Sequence, residues 1–184
     1  VGSNTTRADT TPGGVRSMPR ICVSATILTP LGPVRVMTTH LEFYSPAMRM
    51  AQARALLQLH AQGCAHAAHP PLFDATGSPF QSKPHTNHCI LTGDFNFEPH
   101  SDEYKALQAQ QDGASRLIDA WSLVHPDKPH APTFRLHDRR YGPEPISCDF
   151  LFVSDGLAGQ IRRIDVDLAT RVSDHQPVLL ELAA

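Results

Sequence analysis

Long apolar runs are missing from this chain of 184 residues, and no stretch approaches the roughly twenty residues of a membrane-crossing helix. No signal-peptide pattern opens the sequence, and Val1 stands where a methionine would, so a processed or partial chain is expected. Charge of one sign is missing too. Sixteen Lys and Arg against 18 Asp and Glu leave a formal net charge of -2, without the basic footprint of a strong, sequence-independent DNA binder. Aromatic residues make up only 7% of the chain, so stacking platforms for single-stranded nucleic acid are sparse. Both shortages lean away from a general nuclease. The four cysteines (Cys22, Cys64, Cys89 and Cys148) show no paired motif spacing. Cys89 and Cys148 fall in strand-like runs, where a reduced cysteine acts as a small hydrophobe, so a reducing, cytoplasmic setting is expected.

What the chain does have is the makeup of one ordinary globular domain, with 41% hydrophobic and 18% charged residues. Residues 1–19 are rich in Gly, Ser, Thr and Pro and read as a flexible lead-in to a domain over residues 20–184. Arg20 to Thr29 alternates, with Ile21, Val23, Ala25 and Ile27 on one face. Pro30-Leu31-Gly32-Pro33 is turn chemistry, and Val34 to Thr39 alternates again, which makes a β-hairpin. Ser45-Pro46 supplies an N-cap and a first-turn proline for a helix running to about Gln62. Residues 63–88 carry Pro, His and Gly without periodicity and predict a long loop. Ser101-Asp102-Glu103 opens a short helix, and Ser115 to Val124 predicts another. Thr133-Phe134 reads as a short strand, Ile146 to Ser154 as a longer one, and runs around Ile164 to Leu168 and Val178 to Leu182 as the last two. Strands mixed with helices predict an α/β or α+β layered sandwich.

Polar residues gather where these strands end. Cys89-Ile90-Leu91-Thr92 is a buried-strand run that breaks at Gly93 and delivers Asp94 and Asn96 two positions apart, on one face if the backbone stays extended. Taken alone, Asp94-Phe95-Asn96 is equally a turn that caps the next loop. Ser173-Asp174-His175 makes a second such delivery just before the last strand. Asp149 is a lone carboxylate within an apolar strand; a solvent-facing position is the plain explanation, but a buried one needs a partner, and His175 fits. His40 ends the second strand of the hairpin, where it is either a polar terminus or part of the same cleft. His60, Cys64, His66 and His69 match no closed zinc spacing. Arg135, Arg139 and Arg140 read as a solvated charge cluster, with a grip on substrate phosphate as the alternative.

The ordered set Thr39-His40-Leu41, Gly93-Asp94-Phe95-Asn96 with Pro99, Pro132-Thr133-Phe134, Cys148-Asp149-Phe150-Leu151-Phe152 and Ser173-Asp174-His175 resembles the endonuclease/exonuclease/phosphatase superfamily. The resemblance covers Arg20 to Leu182. It implies a four-layer sandwich of two mixed β-sheets flanked by helices, and a divalent-metal-dependent phosphoric ester hydrolase, whether phosphodiesterase, nuclease or phosphatase. Asp94 would orient or deprotonate the attacking water, and Asn96 would help position it. Asp149 would pair with His175, which would contact the phosphate, and His40 would be a further phosphate or leaving-group contact. Asp174 would sit on the metal side, with Mg²⁺, or Mn²⁺ in its place, as the hard cation that oxygen ligands favour. The implied partner is a phosphate-ester substrate: a small molecule, a lipid headgroup or a nucleic acid.

One departure stands out. Superfamily members carry an asparagine and the principal metal-binding glutamate on early strands, and nothing upstream of Arg20 supplies them. Glu42 is not that glutamate by position. The resemblance therefore implies a C-terminal portion of the domain, incomplete at the N-terminus, whose absent N-terminal half is a further expected partner. Strand edges and apolar faces are then expected to be exposed. The competing reading is a non-catalytic remnant of the fold that acts as a binding module.

Overall fold

The computed structural model describes residues 16–70 and 84–183. Its strands and helices, in chain order, are β1 (Cys22–Thr29), β2 (Gly32–His40), α1 (Pro46–Ala68), β3 (Cys89–Asp94), α2 (Asp102–Leu107), β4 (Leu117–Asp119), α3 (Ala120–Val124), β5 (Asp149–Ser154), α4 (Asp155–Ala158), β6 (Ile161–Val166) and β7 (Val178–Leu182). Strands β1 to β5 form a five-stranded mixed sheet in the order β1-β2-β3-β5-β4, and β6 pairs with β7 in a second sheet. The architecture is the expected α/β one of two sheets with helices.

Strand β5 lies between β3 and β4 in the large sheet and is buried on both faces, and its sequence shows why. Phe150 and Phe152 point to one face and Leu151 and Val153 to the other, all buried. The first pair joins Met37, Leu91, Phe95, Phe97, Tyr104 and Leu107 with Ala53, Leu56 and Leu57 of α1. The second pair packs with Val34, Leu157 and Ile164 against Leu180 and Val178 of the small sheet. Each side chain buried this fully stabilises the fold by about 1.5–3 kcal/mol before conformational entropy is set against it. Strand β3 reaches its place beside β2 through α1, which makes β2 and β3 parallel, with His40 opposite Asp94. Strand β3 runs antiparallel to β5, with Asp94 opposite Asp149.

Gly93 makes that arrangement fit. It has φ +151°, and a Cβ there would lie 1.9 Å from the carbonyl oxygen of Thr39. No side chain fits so close to the β2 backbone.

Several sequence expectations need correction. Helix α1 does not stop at Gln62 but runs to Ala68, because Ala65, Ala67 and Ala68 are strong helix formers and Cys64 is buried in its core stripe. The loop expected over 63–88 thus begins later, and residues 71–83 of it lie outside the described residues, as do residues 1–15 of the lead-in. Ser115 to Val124 is not one helix. Leu117 to Asp119 pairs with β5 at the sheet edge, and the helix starts only after Asp119, whose carboxylate caps it by accepting from Trp121 N–H and Ser122 N–H. Ile146 and Phe134 meet as an isolated bridge, and the strand proper begins at Asp149.

Alternation in β1 gave the strand but not its burial. Ile21, Val23 and Ile27 are 78%, 55% and 49% exposed, and Leu28 on the other side is 74% exposed. β1 is a sheet edge with apolar side chains in solvent. The helix stripe likewise includes two polar members. His60 and Cys64 are buried, with Arg35 donating to His60 Nδ1 at 2.7 Å and His60 Nε2–H donating to the Ser115 carbonyl at 2.8 Å. Both ring nitrogens are taken, so His60 is a core histidine and not a zinc ligand.

Candidate active site

The ends of β2, β3 and β5 and the loop before β7 bring His40, Asp94, Asn96, Asp149, Asp174 and His175 to one region. Five of these six line a cleft of about 600 Å³, and Asp149 stands just behind it, bonded to His175. His175 Nδ1–H donates to Asp149 Oδ2 at 2.9 Å, and His175 Nε2 lies 3.8 Å from Asp94 Oδ2. His40 Nε2 approaches the same Asp94 oxygen at 3.3 Å. Asp94 therefore sits between two imidazoles, and one of them is backed by a second carboxylate.

Local chemistry builds each piece. Asn96 adopts φ 52°, a left-handed conformation that asparagine tolerates. Its backbone N–H donates to Asp94 Oδ1 at 2.9 Å and fixes the carboxylate's direction. Its side-chain Nδ2 donates to the Leu41 carbonyl at 2.9 Å, which ties the His40 strand end to the Asp94 turn. Asn96 thus spends its amide on positioning the two strand ends.

Thr133 and Phe134 serve the dyad in a way that sequence spacing did not reveal. Thr133 is buried, and its Oγ1 accepts from both the Cys148 and Asp149 backbone N–H groups at 3.1 Å. Its carbonyl accepts from Gln176 N–H at 2.7 Å, and Arg135 N–H donates to the Asp174 carbonyl at 3.1 Å. Phe134 stacks on the His175 ring with centroids 4.5 Å apart and planes at 26°. Phe134 makes two antiparallel bridges, to Ile146 ahead of β5 and to His175 in the loop before β7, so residues 133–135 are sewn between the two. They fix the Asp149 backbone and the His175 ring together.

A second polar network lies beneath this clamp. Asp119, 1% exposed, accepts from Ser122 Oγ–H at 2.7 Å and from the Tyr104 hydroxyl at 3.0 Å, and pairs with His130 Nε2 at 2.7 Å. It anchors the segment that leads into Thr133. The sequence signal was there: a carboxylate directly after the apolar pair Leu117-Ile118 is unlike a mid-helix residue and like a cap. Glu42, completely buried, is a further carboxylate with a fold role, accepting from Tyr44 N–H at 2.6 Å and from Met18 N–H.

The proton affinities follow the geometry. The hydrogen bond to Asp149 holds His175 above the usual histidine range, and burial only partly opposes it. Burial, with the facing Asp149 carboxylate, pushes Asp94 above the usual carboxylate range. Burial pushes His40 down, aided by Arg20 and His175, against the pull of Asp94. Cys148 is driven far above the ordinary thiol range, first by burial and then by Asp149.

Asp94, Cys148, Asp149 and His175 offer ligand atoms within 4.8 Å of one another. Within this group His175 and Asp149 are already bonded to each other. The carboxylates fit a hard divalent cation. Asp174 lines the same cleft, with Ser173 Oγ–H turned to its Oδ1 at 3.5 Å, but lies outside the four-residue group.

Comparison with known proteins follows the same lines. A family model described as the Endonuclease/Exonuclease/phosphatase family matches residues 7–175. No curated protein sequence matches the chain. Among solved structures, a mannosyl-6-phosphatase from Bacteroides thetaiotaomicron aligns with TM-score 0.60 and 21% identity over 91% of this chain and 58% of its own. A 3' phosphatase from Neisseria, solved with a product DNA hairpin, aligns with TM-score 0.59 and 22% identity over 89% of this chain and 65% of its own. Truncated Caenorhabditis elegans TDP2 aligns with TM-score 0.58 and 18% identity over 86% of this chain and 58% of its own. The chain thus spans less than two thirds of the length of each, and likeness at these identities shows shared fold.

Proposed function

The chain belongs to the endonuclease/exonuclease/phosphatase family, and from that membership we propose that its cleft hydrolyses phosphate esters by in-line attack of water. The observation that carries this reading is the triad-like line Asp149–His175–Asp94, with His40 on the far side of Asp94. Asp94 is the group placed to accept a proton from water, and a carboxylate raised by burial is a stronger base than an exposed one. His175, whose protonated form Asp149 favours, faces the phosphate and balances negative charge as it develops there. His40 is the phosphate or leaving-group contact, and Asn96 holds the two strand ends in register.

Asp174, whose carboxylate lines the cleft, would hold Mg²⁺ or Mn²⁺, which when bound would polarise the phosphoryl oxygens as a Lewis acid. The matched family model and the phosphatases of like fold support phosphoester chemistry as a class. No helix among the described residues is long and apolar enough to cross a membrane.

The test is hydrolysis of generic phosphomonoesters and phosphodiesters with added Mg²⁺, comparing the native sequence with Asp94→Ala and His175→Ala. Both substitutions are expected to abolish turnover. Activity that survives both would remove the site assignment. Phosphate binding without turnover would favour the binding-module reading.

A further inference from the structure

The chain has few aromatic residues, yet they are unevenly spent. Among the described residues, three aromatic side chains are exposed: Phe43 at 56%, Tyr44 at 39% and Tyr141 at 63%. All three line the cleft that holds Asp94 and His175. Solvated aromatic rings gathered at one cleft mark a ligand surface more than chance exposure does. Tyr141 is also held in place. Arg135 adopts φ 60° and donates from Nη1 to the Tyr141 carbonyl at 3.0 Å. Gly142 makes room for that guanidinium, since a Cβ there would lie 1.8 Å from Nη1. The Tyr141 ring then lies near parallel to Phe134, at 6.4 Å and 20°, and Phe134 in turn stacks on His175. A ladder of flat rings leads from the phosphate-facing histidine out to solvent.

We infer that this ladder, with Phe43, binds a ring carried next to the phosphate, and that the substrate is a small ring-bearing phosphate ester. The inference rests on the phosphoesterase reading for where the phosphate sits. The cleft volume of about 600 Å³ takes a phosphate and one or two rings, which keeps the substrate small. Three arginines line it, Arg20, Arg49 and Arg135, of which Arg49 is paired with Glu103. A nucleobase and the C–H face of a sugar offer the same stacking chemistry.

Protein-observed NMR titration in EDTA reads binding with no ester turned over. The probes are inorganic phosphate, glycerol phosphate, a hexose phosphate and a nucleoside monophosphate. At least one ring-bearing ester is expected to bind about ten-fold more tightly than glycerol phosphate. The better of the two names the ring. Tyr141→Ala is expected to lower the affinity ratio of that ester over inorganic phosphate by about ten-fold, and Tyr141→Phe to preserve it. Equal affinity for ring-bearing and ringless esters overturns the inference. So does an unchanged ratio in Tyr141→Ala, or no binding of any ester. Loss of hydrolysis in the Mg²⁺ assay with the ring preference intact would count against the catalytic reading alone.

Discussion

Replacing Thr133 by valine removes one oxygen and almost no volume, yet it should damage both stability and chemistry. Thr133 Oγ1 accepts two backbone N–H groups, from Cys148 and Asp149, in a site where the threonine is 2% exposed. Valine keeps the branched shape and leaves both donors facing a methyl group. A buried donor left unpaired costs about 1–3 kcal/mol, so the pair should cost about 2–5 kcal/mol. Relaxation that lets water reach one of them would bring the loss to the lower end. The functional effect follows from position, because Asp149 hangs on one of those N–H groups and holds His175. Thr133→Val is therefore expected to lower kcat by more than ten-fold with little change in KM, while Thr133→Ser, which keeps the oxygen, retains most of both properties. Urea denaturation gives the stability loss and steady-state hydrolysis gives the kinetic split. A Thr133→Val loss under about 0.5 kcal/mol would refute the reasoning, since two orphaned donors cannot cost so little. Equal damage from Thr133→Ser would assign the effect to packing and not to the shared oxygen.

Three other perturbations have clear expected outcomes. Gly93→Ala puts a methyl group 1.9 Å from the Thr39 carbonyl and should cost about 2–4 kcal/mol, separating β2 from β3 and the His40–Asp94 contact with them; a thermal midpoint unchanged by this substitution would contradict the register. Burial works against the Asp119 carboxylate, but the His130 and Ser122 bonds outweigh it and hold the group below the usual carboxylate range. Stability from Asp119 is thus fully present above the ordinary aspartate pKa and lost as pH falls through its lower folded value, so Asp119→Asn should flatten the acid limb of a stability–pH curve. If the limb keeps its slope in that variant, Asp119 is not the group responsible. Val23→Lys with Ile27→Lys places charges on the exposed β1 edge and should reduce self-association in light scattering while shifting stability by no more than about 0.5 kcal/mol. Unchanged scattering would mean that the edge is not the sticky surface.

The sequence determined the elements whose signals are local. The hairpin, the Ser45-Pro46 helix start, the Ser101 cap and the two-faced β5 could all be read from periodicity and capping chemistry, because each depends on neighbours within a few residues. It also put His40, Asp94, Asn96, Asp149, Asp174 and His175 at strand ends. What it could not supply was distance. Whether Asp149 faces solvent or His175 is decided by pairing between β3 and β5 and by the loop before β7, all contacts distant in sequence. Long-range contacts also overruled local preference where the two disagreed. Leu117 and Ile118 have helix-compatible neighbours but gain more by completing the edge beside β5, while the alternating β1 has no partner layer on its apolar side among the described residues and leaves it in water. Thr133 and Phe134 show the division most plainly. The sequence marked them as a short strand and as part of the family resemblance without a role for either, and only the tertiary fold placed one hydroxyl under two N–H groups and one ring against the His175 imidazole. A hydrogen bond or a ring stack needs two groups in fixed geometry, and for groups far apart in sequence only the packed core can hold them so.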